Sequence, residues 1–346
     1  MTAKVISDVD ADALAARGLP GLWYVVAKSV QLRAREVLGI RALGRQLALW
    51  RGEDGAPRCV EDFCPHRGAP LSRGVVIDGN VACRYHGVML DGTGTIVRVP
   101  AMPDCPLEGR QAIIGYATAE ANGAVFVYIP SADRPEPPPL DLPAEFTDPG
   151  WSGFLCSGLW NCNYQLAAEN TADPMHGIYL HADSFTLAYG GREDLVRIDP
   201  ADRGFLITRV AQTDQNFDWC HVVTEGSTNF IRLDIPYPMA GGPGGPFRVL
   251  GFMTPVDEHS TRIFFWRNRQ VSGIAREAWR FLFRGFFEAR HWEVLEQDRE
   301  MLEAVPHTAR EREMLYQHDA GVVRLRRIWR ERARQILSAP TELTPS

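Results

Sequence analysis

Two short segments bring thiols and imidazoles together at regular spacing: Cys64-Pro65-His66 and, after a gap of sixteen residues, Cys83-Arg84-Tyr85-His86. Each segment would present one thiolate and one imidazole from a tight loop, so two such loops can close on a metal centre from opposite sides. Two occupants accept this donor set. One is a tetrahedral zinc ion with two sulfur and two nitrogen ligands. The other is a [2Fe–2S] cluster with both cysteines on one iron and both histidines on the second. Zinc fingers ordinarily pair Cys with Cys and His with His, and here each loop mixes the two beside Gly68, Pro70 and Gly87, which favours the cluster.

A second group lies in Glu169-Asn170-Thr171-Ala172-Asp173-Pro174-Met175-His176-Gly177, followed by His181. Three-residue steps would set Asn170, Asp173 and His176 along one slanted stripe of a helix. His181 would point about 140° away from His176 on a straight helix, so the imidazoles can meet only if the helix breaks, and Gly177 permits a break. Two converging histidines and a carboxylate would make the facial site that holds non-haem Fe(II) and leaves positions for water, O2 or substrate.

The segments CPHRGAPLSRG and CRYHG look like the cluster-binding motif of Rieske proteins. Ala69 and Tyr85 stand in the region where the cytochrome bc-type branch has extra disulfide-forming cysteines, so the likeness is to the oxygenase and ferredoxin branch. Arg84 and Val88 depart from the Pro and Trp common in oxygenases, and neither is a ligand position. The D-x-x-H-x-x-x-x-H spacing of Asp173, His176 and His181 resembles the mononuclear iron motif of Rieske non-haem iron oxygenases. Within them it is similar to the short homotrimeric group that includes dicamba monooxygenase and vanillate O-demethylase. The resemblance extends over about residues 22–305.

It implies that Cys64, His66, Cys83 and His86 hold the [2Fe–2S] cluster, and that His176 and His181 hold a mononuclear Fe(II). A third iron ligand is expected in the segment 297–304; Asp298 is the choice, with Glu296, Glu300 and Glu303 as rivals on the same helix. Chains of this family form head-to-tail trimers, in which Asp173 would bridge cluster His86 and iron His176 across subunits, as a carboxylate accepting N–H bonds from two imidazoles does. Asn170 would sit near the iron and bond a ligand or an O2-derived oxygen. The implied reaction is O2-dependent hydroxylation of a ring or of its methyl or methoxy substituent, with cis-dihydroxylation of an aromatic ring as the alternative. An electron carrier or a zinc-stabilised binding protein is the reading from another class; it leaves the 173/176/181 motif without a purpose. No G-x-G-x-x-G opening a βαβ unit is found, so electrons must come from a separate reductase, with or without a ferredoxin. Arg67, Arg73 and Arg84 flank the cluster loops and would dock an acidic carrier.

These residues need two scaffolds. Residues 22–130 alternate short apolar runs, at 22–27, 75–77 and 124–129, with turns such as Asp78-Gly79 and Asp91-Gly92, which predicts an all-β unit. Pro135, Pro137, Pro138, Pro139 and Pro143 form an extended spacer, so the domains are expected at 1–138 and 139–346. The second should begin with a helix over about 160–176 that ends at Gly177. Strands over 195–267 follow, with a flexible loop at 241–246 and helices over about 272–305 and 319–337. The fold class is α+β: an all-β cluster domain, then an antiparallel sheet with helices, which the resemblance makes helix-grip or START-like. The arginines at 324, 326, 327, 330, 332 and 334 interleave with Val323, Leu325, Ile328 and Trp329, which predicts an amphipathic helix on its own domain.

Composition sets the outer bounds. The 346 residues have 37 Lys+Arg against 43 Asp+Glu, so no bulk basic field exists for nucleic acid. No charged segment followed by an apolar one opens the chain, and no run of about 18 apolar residues occurs, which predicts a cytoplasmic protein that does not engage membranes. Seven cysteines in a reducing compartment then leave Cys59, Cys105, Cys156, Cys162 and Cys220 as structural residues.

Overall fold

The computed structural model describes residues 6–184, 187, 191–211, 219–235 and 244–340. The chain divides into two compact units: Pro20–Leu140, and Asp141–Ser338 together with the N-terminal segment through Leu19.

In the first unit, eleven short strands form three antiparallel sheets. β1 (Leu22–Lys28), β11 (Ala124–Ile129) and β10 (Thr118–Ala121) make one; β2 (Leu38–Ala42), β3 (Arg45–Arg51), β4 (Pro57–Glu61) and β9 (Gly115–Tyr116) make the second. β5 (Val75–Ile77), β6 (Asn80–Ala82), β7 (Met89–Leu90) and β8 (Ile96–Arg98) make the third. Three hairpins turn on Leu43-Gly44, Asp78-Gly79 and Asn122-Gly123, where both residues have positive φ. This two-residue geometry matches the twist of the strands it joins, and Gly adopts it without Cβ strain. Trp50, Val60, Leu71, Val81 and Leu90 form a core that also buries Cys64 and Cys83.

The second unit is built on a seven-stranded antiparallel sheet. Its strands are β12 (Trp151–Trp160), β13 (Val196–Ala201), β14 (Gly204–Arg209), β15 (Trp219–Val223), β16 (Phe230–Ile235), β17 (Phe247–Pro255) and β18 (Thr261–Gln270), in the order β12-β18-β17-β16-β15-β14-β13. A short helix, α2 (Ala144–Thr147), precedes β12, and helices α3 (Tyr164–Thr171) and α6 (Glu288–Glu303) pack on one face of this sheet. Their Ala167, Leu295 and Leu302 meet Cys156, Ile263, Phe265 and Val249. The alternation of a strand supplies the sheet side of this core, and the 3.6-residue period supplies the helix side. On α6 the buried residues are His291, Leu295, Asp298 and Leu302, a stripe with steps of four, three and four.

Three expectations are corrected here. The helix expected over 160–176 is shorter: β12 runs to Trp160, α3 starts at Tyr164 under an Asn163 cap and ends at Thr171, and Gly177 opens a second short helix, α4 (Gly177–Leu180). Pro174 has no N–H and disfavours the α conformation at Asp173, so the chain leaves the helix before Gly177. The helix expected over 272–305 contains a π segment, Phe283–Phe287, between α5 (Gly273–Leu282) and α6. The N-terminal helix α1 (Asp8–Arg17) does not belong with the β unit. It packs on α7 (Ala320–Ser338), where Arg330 pairs with Asp12 and Arg334 with Asp8. α7 buries Val322, Leu325, Trp329 and Ala333 on its own unit, and Arg326, Arg330 and Arg334 meet acidic partners. Of the loop expected at 241–246, residues 241–243 lie outside the described residues. No helix is long and apolar enough to cross a membrane among the described residues.

Candidate active site

The two Cys/His loops repeat one backbone plan. Cys64 N–H bonds the Ala69 carbonyl at 2.9 Å and Gly68 N–H returns to the Cys64 carbonyl at 2.8 Å. In the second loop Cys83 N–H bonds Val88 and Gly87 N–H returns to Cys83, at the same 2.9 and 2.8 Å. Gly68 and Gly87 have φ of 72° and 76°, a conformation that costs glycine little. Both thiols are buried, while the imidazoles of His66 and His86 are exposed, with ring centroids 4.5 Å apart. Burial, with Cys83 beside it, pushes the Cys64 thiol up to about 11. A cation that binds thiolate would displace that proton. Two adjacent sulfurs inside and two nitrogens outside suit a group with unlike metal ends. All seven cysteines are reduced and buried, and Cys64 and Cys83 are the two beside histidines of these loops.

In the second unit, His176, His181 and Asp298 each offer a ligand atom, and these atoms lie within 4.8 Å of one another. Asp298 Oδ1 is 3.3 Å from His181 Nε2 and 3.6 Å from His176 Nε2. Ligand atoms about 2.1 Å from a common ion and near 90° apart stand about 3 Å from each other, so this donor set fits an octahedral metal on one face. The break after α3 makes the meeting possible: His176 precedes α4 and His181 follows it, with ring planes at 77°.

Each histidine is fixed through its other nitrogen. His176 Nδ1 lies 2.7 Å from the Asp173 backbone carbonyl, and His181 Nδ1 lies 2.8 Å from Gln297 Oε1. An acceptor at Nδ1 holds the proton there and leaves the Nε2 lone pair facing the triad. Asn170 Nδ2 donates to Asp298 Oδ1 at 3.0 Å, so Asn170 orients a ligand candidate directly. Burial works against charging His181, but the Asp298 carboxylate and Gln297 outweigh it and raise its pKa.

The rivals of Asp298 are engaged elsewhere or turned outward. Glu296 pairs with Arg299; Glu303 pairs with Arg299 and accepts Asn161 N–H; Glu300 is not buried. The Asp173 carboxylate stands 3.9 Å from His176 Nδ1 and accepts the Met175 N–H, so within this chain the backbone carbonyl of Asp173, not its side chain, holds the ring. Arg67, Arg73 and Arg84 are exposed, and Arg67 lies 5.5 Å over the Tyr85 ring.

Sequence reasoning missed the role of Gln297, although it adjoins Asp298. It also passed over the signal that separates Asp298 from the glutamates, a charged residue on the core-facing stripe of α6 three residues after Leu295 and four before Leu302.

Comparison with known proteins agrees with both halves of this picture. Residues 22–114 match the Rieske [2Fe-2S] domain, and residues 160–335 match the vanillate O-demethylase oxygenase C-terminal domain. The vanillate O-demethylase oxygenase subunit of a Pseudomonas species is 30% identical over 338 residues, covering 88% of this chain and 92% of the relative. The chain belongs to the Rieske non-haem iron oxygenases.

The dicamba O-demethylase oxygenase component of Stenotrophomonas maltophilia is 32% identical over 163 residues, 46% of each chain. In fold, this Rieske oxygenase is similar to the terminal oxygenase of carbazole 1,9a-dioxygenase from Nocardioides aromaticivorans, with a TM-score of 0.78, 23% identity and coverage of 94% of this chain and 98% of that one. Dicamba monooxygenase bound to dicamba gives a TM-score of 0.72 at 20% identity, covering 91% and 97%. As a member of this family the chain is an oxidoreductase, a terminal oxygenase. The alternatives of a simple electron carrier and a zinc-stabilised binding protein are set aside with this membership.

Proposed function

We propose that this oxygenase uses O2 to hydroxylate or demethylate an aromatic small molecule at an Fe(II) held by His176, His181 and Asp298. Electrons enter through a cluster on Cys64, His66, Cys83 and His86, from a reductase directly or by way of a ferredoxin. The observation that carries the reading is the convergence of the three ligand atoms within 4.8 Å beside a cavity walled by Leu233, Val249, Phe265 and Leu295. Ferrous iron, when bound, supplies a site where O2 is activated as electrons arrive.

The chain's own residues do the rest. The Asp173 carbonyl and Gln297 fix the two imidazoles with Nε2 forward, and Asn170 holds one oxygen of Asp298, which limits the carboxylate's rotation. The apolar walls seat a ring and keep bulk water away from the reacting carbon. The Asp173 side chain is one-third exposed. In a head-to-tail homotrimer it would reach His86 of the partner subunit while its carbonyl keeps His176 in place. Seven reduced cysteines suit a cytoplasmic setting.

The test is substrate-dependent O2 uptake by the reconstituted enzyme with a surrogate reductase, over aromatic and alicyclic acids and neutral rings, with 18O2 and mass spectrometry of products. One labelled oxygen, or formaldehyde from a methoxy compound, supports the proposal. Two labelled oxygens in a cis-diol would shift it to ring dihydroxylation. No uptake with any ring compound, from protein that is brown with cluster and loaded with Fe(II), would overturn it.

A further inference from the structure

Away from the triad and its neighbours, the described walls of the cavity are largely apolar, and a second charged side chain besides Asp298 lines it. Arg267 stands on β18 opposite Val249 of β17, which stands opposite Leu233 of β16, so the three side chains form one row across the sheet. Phe265, two residues earlier, shares its face, and all four line the cavity with His176, His181 and Asp298. Arg267 is 3% exposed. Its Nη2 donates to the His291 backbone carbonyl at 3.2 Å and its guanidinium lies 5.4 Å over the Trp292 ring. Among the described residues no carboxylate forms an ion pair with it, although other buried arginines here have one, such as Arg209 with Asp194.

A guanidinium has five N–H donors in a fork that matches a carboxylate. Burying that charge without an anion is costly, and enclosed cations are found paired. Glu288 acts on it only at a distance, and burial lowers its pKa. Among the described residues one carbonyl and one ring engage it, so the fork has donors to offer an anion at the wall of a pocket. Its anchor at His291 is seven residues from Asp298, about 10.5 Å along α6. That separation suits one ring with an acidic group at one end and the reacting carbon at the other.

We propose that Arg267 is the specificity-determining residue of this pocket, pairing with the carboxylate of an aromatic acid and setting the opposite end of the ring at the triad. The inference rests on the reading of this cavity as the substrate site. It narrows the substrate class from aromatic molecules in general to aromatic monocarboxylates.

The test uses holoenzyme and matched probes: 4-methoxybenzoate, 4-methylbenzoate and benzoate against their primary amides. Binding is measured by calorimetry and turnover by O2 uptake, in wild type, Arg267→Gln and Arg267→Lys, with the cluster's visible spectrum as the check on folding. Wild type should bind at least one acid about 10- to 100-fold more tightly than its amide, the range of a charge-assisted hydrogen-bonded pair. That ratio should collapse toward one in Arg267→Gln and be partly kept in Arg267→Lys, which retains charge but not the fork. An unchanged ratio in Arg267→Gln, amides binding as well as acids, or no acid binding at all would each overturn the anchor. Should Arg267→Gln fail to fold, a lysine variant whose ratio matches wild type overturns the fork-specific pairing, and one with a reduced ratio supports it. Turnover of neutral rings without any acid preference would remove this inference and leave the oxygenase reading standing; absence of O2 uptake with every compound would count against the oxygenase reading itself.

Discussion

Two imidazoles can serve one metal only if their protons are kept on the far nitrogens. Here that task falls to an amide oxygen and a backbone carbonyl, both neutral acceptors. Replacing Gln297 by Leu removes the acceptor at His181 and frees the ring to change tautomer. Affinity for Fe(II) or Co(II) at the triad should fall about 10- to 100-fold, while the cluster spectrum stays as in wild type. Metal titration of the two proteins checks this, and an unchanged affinity would remove Gln297 from the site. His291 gives a pH signature. Burial, with Arg267 nearby, pushes its pKa down to about 3 from the ordinary value of 6.5. The folded chain therefore keeps it neutral where the unfolded chain protonates it. Its contribution to stability is complete above pH 6.5 and is lost as pH falls toward 3, at up to about 1.4 kcal/mol per pH unit. His291→Phe should flatten this acid limb in melting temperatures recorded between pH 7 and 4.5. A slope equal to wild type would mean that His291 is not held neutral in the folded chain.

At the scale of elements, the site depends on where α3 stops. α3 brings Asn170 to Asp298, and the break at Asp173-Pro174 lets His176 and His181 approach from either end of α4. Buried Glu169 holds the end of α3 in register through ion pairs with Arg310 and with Arg326 of α7. Removing it takes the buried carboxylate from two cations, leaving Arg326 with Glu313 and Arg310 with Gln165. For Glu169→Ala we expect a loss of about 2–3 kcal/mol, below that of a fully buried pair because Arg310 is partly exposed. The melting temperature should drop by roughly 5–10 °C. A drop within 1 °C or so would show the pairs to be incidental. The break itself was half legible: the need for one followed from the five-residue spacing of the histidines. The choice of Gly177 overlooked that Pro174 forbids the helix earlier. The π segment at Phe283–Phe287 was not legible, because one extra residue in a turn leaves an amphipathic pattern almost unaltered.

For the whole molecule, the proposed function requires electrons to pass from the cluster to the iron, and Asp173 is the proposed contact between subunits. Asp173→Asn preserves shape and removes charge. It should leave cluster absorbance and Fe(II) content unchanged while substrate oxidation slows at least about tenfold, as loss of a partner that orients a metal ligand does. A wild-type rate in single-turnover experiments would refute the bridge. The exposed arginines beside the cluster, Arg67, Arg73 and Arg84, belong to the same scale, since docking of an acidic carrier is read through the salt dependence of its reduction rate.

Ligand chemistry could be read along the chain wherever spacing is local. A thiol and an imidazole two or three residues apart must share a loop, so the grouping of Cys64 with His66 and of Cys83 with His86 was legible without coordinates. The α+β class was legible for the same reason, since strand and helix periods are local. What no linear spacing contains is the meeting of residues tens to more than a hundred positions apart. Asp298 reaches His176 and His181, Gln297 reaches His181, and Arg267 enters the same cavity because β18 and α6 enclose one core. The N-terminal helix joins α7 through arginine–aspartate pairs for which no pattern along the chain codes. Types and local spacing therefore pointed to the chemistry, and packing of a sheet face against a helix decided which carboxylate stands with the two histidines and which cation lines their cavity.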